Sequence, residues 1–137
     1  MTRQLIDANF LEPCPIRDIL DRIGDRWSLL VLWMLNQGPH RFSELRRRIG
    51  DVSQRTLAQT LRRLEQDGFV SRTVTATVPP RVDYELTTLG RSFMGPMGIL
   101  IDWADSNHDA VRAARAAYQP PVSWWSAEGQ VRPGAAE

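Results

Sequence analysis

The chain is predicted to be mainly α-helical with one small β-hairpin, an α+β domain, and three observations carry that expectation. Ser53 to Asp67, SQRTLAQTLRRLEQD, has two chemically distinct faces when wound as a helix. Leu57, Leu61 and Leu64 share one apolar stripe, while at about 100° per residue Arg55, Gln59, Arg62 and Gln66 gather opposite, flanked by Thr56 and Arg63. A shorter amphipathic segment, Phe42 to Ile49, precedes it across the linker Gly50-Asp51-Val52. After Gly68 the hydrophobic period drops to two, reverses at Pro79-Pro80-Arg81, and resumes from Val82 to Leu86. Two short helices joined through a glycine and followed by a hairpin make a winged helix-turn-helix.

Taken in order, Met1 to Pro13 is mixed in composition and is expected to be a loosely structured arm, with Leu5, Ile6, Phe10 and Leu11 able to pack on a partner. Cys14-Pro15 opens the first clear helix. Proline suits the first helical position, which makes Cys14 the N-cap. Ile16, Ile19, Leu20 and Ile23 form its stripe, and Gly24 ends it. Trp27 to Gln37 is apolar almost all round, the pattern of a central core helix, and Gly38-Pro39 stops it. In the next helix Phe42, Leu45 and Ile49 are expected inside, with Arg46, Arg47 and Arg48 outside. Ser53 stands where the following helix needs an N-cap, and Gly68 terminates that helix.

From Phe69 to Val78, Val70, Arg72, Val74, Ala76 and Val78 alternate with Ser71, Thr73, Thr75 and Thr77, which predicts a strand. Thr87 caps a last helix running from Thr88 to about Asn107 or on to Tyr118, with Phe93, Met97, Leu100, Ile101 and Ala104 on one side and Pro96 as an internal bend. From Gln119 onward, Pro120-Pro121, Trp124-Trp125 and a Gly, Pro and Ala stretch predict a flexible tail. The expected organisation is an arm over 1–13, a folded domain over 14–118 and a tail over 119–137.

A chain of 137 residues with 42% hydrophobic content fits one domain with extra segments at its ends. The apolar runs SLLVLWML and MGILIDW are far shorter than a membrane span. The N-terminus lacks the pattern of a secretory signal, so the cytoplasm is the expected location. Basic and acidic residues nearly balance, 17 against 16, and every basic residue is Arg. The distribution is uneven: Arg41 to Arg72 holds eight Arg against four acids. A basic centre in a neutral chain is what localised phosphate binding requires. One Cys excludes an internal disulfide and the multi-cysteine zinc patterns, and His40 and His108 lack ligand spacing. No Ser-His-Asp order, carboxylate pair or phosphate-binding glycine loop is present, so neither an enzyme nor a cofactor is expected.

Arg and Gln are the side chains best shaped for bidentate hydrogen bonds to guanine and adenine edges. Ser53, Gln54, Arg55, Thr56 and Gln59 lie at the end of the helix that enters a groove most deeply, and base or phosphate contact is expected of them. Arg62 and Arg63, further along, are placed at phosphate or against acidic neighbours. Arg41, Ser43, Arg46 and Arg47 belong to the helix that lies across the backbone, where phosphate contact fixes position; Arg48 is grouped with them. Arg81 beside Pro-Pro suits a minor groove or its phosphates, or is an ordinary hairpin charge. Trp27, Trp33 and Trp103 are assigned to core or dimer interface. The expected function is a sequence-specific DNA-binding regulator. The alternative is a winged-helix module that contacts proteins without binding DNA, against which the Arg-rich helix face argues.

Three runs, CPIRDILDRIGDRWSLLVLWML, GPHRFSELRRRIGDVSQRTLAQTLRRLEQDGFVSRT and VPPRVDYELTTLGRS, together resemble the HxlR family of bacterial winged-helix, MarR-like transcription regulators from Cys14 to about Trp103. The resemblance implies a homodimer on a double-stranded, inverted-repeat operator, with N- and C-terminal helices forming the dimer interface. It also implies redox or electrophile sensing through a Cys near the first helix. Cys14 falls at that position, with a small electrophile or thiol as its partner. An N-cap meets the positive end of the helix dipole and unpaired backbone N–H groups, a setting that reactive cysteines use; the other reading is a small buried residue. The segment after Tyr118 is longer than the family pattern.

Overall fold

The computed structural model describes residues 14–121. The expected arm over 1–13 and the Trp124-Trp125 pair lie outside the described residues. The elements run α1 (Pro15–Ile23), α2 (Ser28–Leu35), β1 (His40–Arg41), α3 (Phe42–Ile49), α4 (Gln54–Gln66), β2 (Val70–Thr75), β3 (Arg81–Leu86) and α5 (Thr88–Ala117). Two compact units are present: one ends at Leu100 and the other begins at Ile101. In the second, the helix continues to Ala117, and Asn107 Nδ2 donates to the Trp103 carbonyl at 2.8 Å.

The core of the first unit forms on α4. Its predicted stripe, Leu57, Leu61 and Leu64, is essentially inaccessible, as are Val31 and Leu32 of α2 and Leu45 of α3. Thr60 is also buried; its hydroxyl donates to the Thr56 carbonyl at 2.8 Å, so the polar atom is satisfied within the helix. The prediction for α2 holds on one face only. Val31, Leu32 and Leu35 are buried, but Leu30 is 46% exposed and Trp33 half-buried. In α3, Leu45 alone is fully buried, with Phe42 and Ile49 half-buried.

The helix ends follow their capping chemistry. The Ser53 hydroxyl accepts from the Thr56 N–H at 3.1 Å. At the other end Gly68 has φ +81°. Its N–H bonds to the Glu65 carbonyl and the Phe69 N–H to the Leu64 carbonyl, a Schellman closure with Phe69 folded back on the core. Asp25 starts α2 by accepting from the N–H groups of Trp27 and Ser28 at 3.1 and 3.3 Å and from the Ser28 hydroxyl. Burial resists ionisation of Asp25, but the bonds from Ser28 and from the Trp27 and Ser28 backbone prevail and its pKa is lowered.

The sheet has the order β1-β3-β2, all antiparallel. The hairpin pairs Val70 with Leu86 at its base and Thr75 with Arg81 at its far end. β1, unanticipated from sequence, pairs His40 with Tyr84 and Arg41 with Asp83. Thr87 ties the hairpin's exit to the end of α4: its N–H donates to the Phe69 carbonyl at 3.0 Å and its hydroxyl to the Gly68 carbonyl. The same hydroxyl accepts from the Gly90 N–H at 3.1 Å, the cap expected for α5. Gly90 passes so close to Phe69 that a Cβ there would lie 2.2 Å from the Phe69 carbonyl oxygen.

Candidate nucleic-acid interface

Once Leu57, Leu61 and Leu64 are committed inward, helical geometry leaves Gln54, Arg55, Ala58, Gln59, Arg62, Glu65 and Gln66 exposed on α4. Ser53 and Thr56 do not project as free hydroxyls. Ser53 Oγ donates to Thr56 Oγ1 at 2.9 Å, besides accepting from the Thr56 backbone, so the two lock the first turn. Contact with DNA by Ser53 would reuse the oxygen that holds the cap, whereas Thr56 Oγ1 is engaged only as an acceptor.

Two grooves flank this face. One, of about 520 Å³, is lined by Phe42, Ser43, Arg46 and Arg47 of α3, by Gly50 and by Gln54. It brings four of the expected residues together, with two guanidinium groups at one wall. The other, of about 490 Å³, lies between α4 and the hairpin; Gln54, Ala58, Arg62 and Glu65 form its helical side and Arg72 and Tyr84 its strand side. Arg72 and Tyr84 are directly paired across β2 and β3. Sequence reasoning did not single them out. The available signal was a charge, Arg72, in the strand row otherwise occupied by Val and Ala.

The remaining candidates separate. Arg41 is exposed and donates its N–H to Glu44 Oε1 at 3.4 Å, at the start of α3. Arg63 is half-buried and lines neither groove. Arg48, grouped at first with the phosphate-facing arginines, is engaged elsewhere. Its Nη1 lies 2.7 Å from Nε2 of buried His40 and its Nη2 donates to Gln37 Oε1 at 2.9 Å. The opposite ring nitrogen of His40 lies 2.7 Å from the Gly38 carbonyl. Arg48 can only donate, so His40 carries its proton on Nδ1 and accepts at Nε2. The two residues join β1 to α3.

Arg81 follows the turn rather than standing at its tip, and its Nε is 3.0 Å from Asp83 Oδ2. With Asp83 as a neighbour its charge is partly neutralised, which weakens the case for a free groove-probing guanidinium.

Cys14 is the N-cap of α1, 9% exposed, and makes no side-chain capping bond. Among the described residues no group of His, Cys, Asp or Glu could hold a metal ion. No helix there is long and apolar enough to cross a membrane.

A family model described as HxlR-like helix-turn-helix matches residues 22–112. The uncharacterised HTH-type transcriptional regulator YtfH of Escherichia coli is 46% identical over 116 residues, covering 84% of this chain and 92% of the relative. Among solved structures, the redox regulator HypR in its reduced form has a TM-score of 0.69 at 37% identity, covering 72% of this chain and 98% of that one. The reduced form of the transcriptional regulator YodB from Bacillus subtilis has a TM-score of 0.61 at 35% identity, covering 67% of this chain and 91% of that one. Fold, sequence and residue pattern agree: the chain belongs to the HxlR-like helix-turn-helix family of transcriptional regulators.

Proposed function

We propose that the chain is a sequence-specific DNA-binding transcriptional regulator that acts as a homodimer on an inverted-repeat operator, with Cys14 as the residue that receives a redox or electrophile signal. The observation that carries DNA binding is the exposed Gln54, Arg55 and Gln59 on the first half of α4, beside grooves that contain Arg46, Arg47, Arg62 and Arg72. Side chains able to read base edges thus lie between side chains able to hold phosphates. Homodimerisation is supported by Ile16 and Leu20 of α1, each at least half exposed. Two recognition helices would then sit about 34 Å apart, one turn of duplex.

A salt titration on specific and random duplexes tests the division of roles. Arg47→Ala weakens binding to both alike and lowers the salt slope by about one unit for each phosphate that is no longer neutralised. Arg55→Ala or Gln59→Ala costs about 1–3 kcal/mol on the specific duplex and relaxes preference at particular base pairs. Equal losses on both duplexes for all three variants would overturn the assignment.

The signal through Cys14 is supported by its N-cap position and by the likeness to a protein named a redox regulator. With one Cys per chain, the available states are a Cys14–Cys14 bridge between subunits, a mixed disulfide with a small thiol, or direct alkylation or oxidation. Its sulfur is packed, so an adduct displaces the start of α1. Diamide and a quinone should lower duplex affinity in the wild type and leave Cys14→Ser unaffected; an equal response in the two proteins makes Cys14 structural.

A further inference from the structure

A cavity of about 410 Å³ opens between α1, the end of α4 and the start of α5. That volume lies within the range of small-molecule sites, about 300–1,000 Å³. Its walls are of two kinds. Phe69 and Phe93, with ring centroids 6.2 Å apart and planes inclined at 52°, join Ile19 and Leu89 as apolar surface. Asp18, Arg22 and Asp67 supply charge. Arg22 Nε donates to Asp67 Oδ2 at 2.8 Å, and Asp67, chiefly through that bond and its charge, with a smaller contribution from Asp18, raises the Arg22 pKa. The guanidinium is thus held through Nε by one carboxylate, with the second acting on it only through its charge. The local sum, two carboxylates and one guanidinium, is negative.

We propose that this cavity binds a small organic cation, an aryl- or alkylammonium, with Asp18 and Asp67 as counter-ions and the Phe69–Phe93 pair as its aromatic wall. Aromatic faces attract cations through their quadrupole, and a partly desolvated cavity strengthens that attraction. An organic anion would meet a single guanidinium already shared with Asp67 and would sit beside two carboxylates. A neutral molecule would gain only the apolar wall. Binding has a built-in consequence. Asp67 is the C-cap residue of α4, and its bond to Arg22 joins α1 to the recognition helix across 45 residues. A cation paired with Asp67 competes with Arg22 for that carboxylate and loosens the tether at the end of α4. This consequence, unlike the binding itself, rests on the DNA-binding reading.

Benzyltrimethylammonium is the probe, titrated calorimetrically into the full chain beside phenylacetate as anion and neopentylbenzene as neutral isostere. One saturable site per chain for the cation is expected, with binding at least about tenfold weaker for the other two. Asp18→Asn, at an exposed position, and Phe93→Leu, which keeps an apolar side chain, each weaken cation binding severalfold; Asp67→Asn, which retains a polar C-cap, abolishes it. No saturable binding, equal binding of phenylacetate, or binding indifferent to both Asp18→Asn and Phe93→Leu overturns the proposal. In a second arm, saturating cation lowers duplex affinity in the wild type and not in Phe93→Leu. Cation binding that leaves duplex affinity unchanged overturns the coupling. A chain that binds no duplex under any condition removes the DNA-binding reading, and the calorimetry still decides the cavity.

Discussion

Helices α1 and α4 carry the same kind of pattern and meet opposite fates. Each has apolar residues at helical spacing and a polar opposite face. In α4 the stripe Leu57, Leu61 and Leu64 is at most 1% exposed. In α1 only Ile23 is buried, at 3%, while Ile16, Ile19 and Leu20 are 50, 40 and 55% exposed. Periodicity therefore tells which face seeks cover but not what covers it. For α4 the cover includes α2 and the base of the hairpin, both in the same chain. For Ile16 and Leu20 of α1 it is what a second copy would provide, Ile19 lining the cavity beside Phe93, and the proposed dimer rests on that difference. α5 repeats the pattern of α1 with Ile99, Leu100 and Trp103, each at least half exposed.

Leucine truncation on the two helices separates them most sharply. Leu61→Ala is expected to cost about 2–5 kcal/mol in equilibrium denaturation, because it removes buried methyl groups and leaves a cavity. Leu20→Ala in dilute protein is expected to cost no more than about 0.5 kcal/mol, the usual range for an exposed site. Similar losses for the two at low concentration would mean that α1 is already covered within its own chain. Leu20→Glu sharpens the comparison from the other side. It leaves the secondary structure intact but shifts sedimentation at micromolar protein to the monomer, since a buried charge is not tolerated at an apolar interface. A dimer that survives this change would have to be built elsewhere.

A smaller effect belongs to the groove beside α4. Arg72→Ala is expected to lower the salt slope of duplex binding by about one unit while leaving base preference unchanged. A change in preferred sequence would move Arg72 from positioning to reading.

These residues also mark where the sequence was and was not legible. The α4 stripe, its Ser53 cap, the Gly68 stop, the hairpin and the Thr87 cap follow from local rules, since each depends on neighbours within a few positions. The ends of some elements were less clear. β2 stops at Thr75 rather than Val78, where the Thr77 N–H bonds back to the Thr75 carbonyl and the Thr77 hydroxyl to the Pro79 carbonyl. Pro79 and Pro80 have no N–H to extend the ladder. α5 reaches Ala117 through the run DAVRAARAA, carried by alanine and arginine propensity with little hydrophobic patterning. What was not legible depends on contacts distant in sequence. β1 exists only because Tyr84 and Asp83 pair with it. Arg48 looked like one of three equivalent arginines until His40 and Gln37 claimed it. The Arg22–Asp67 pair, which makes the cavity wall, spans 45 positions and has no local signature.

The last test asks how firmly α1 is joined to α2. Asp25 lies between them and holds the start of α2 through Trp27 and Ser28. Replacing it by Ala removes a helix-start acceptor and should cost about 0.5–2 kcal/mol at neutral pH. The charge contribution is isolated by Asp25→Asn, which keeps an acceptor without the carboxylate. Burial opposes the ionised form, yet the hydrogen bonds from Ser28 and the backbone outweigh it, so the folded-state pKa lies below the unfolded one. A carboxylate with a depressed pKa contributes stability that is present above its unfolded value, about 3.9, and is lost as pH falls through the folded value. Wild type should therefore exceed Asp25→Asn in stability at pH 7, and the two should converge as the pH drops below about 4. A difference that stays constant down to the lowest pH would mean that the carboxylate charge contributes nothing. The junction would then be held by Ser28 packing and the α2 core, and α1 would be anchored by Ile23 and the Arg22–Asp67 bond.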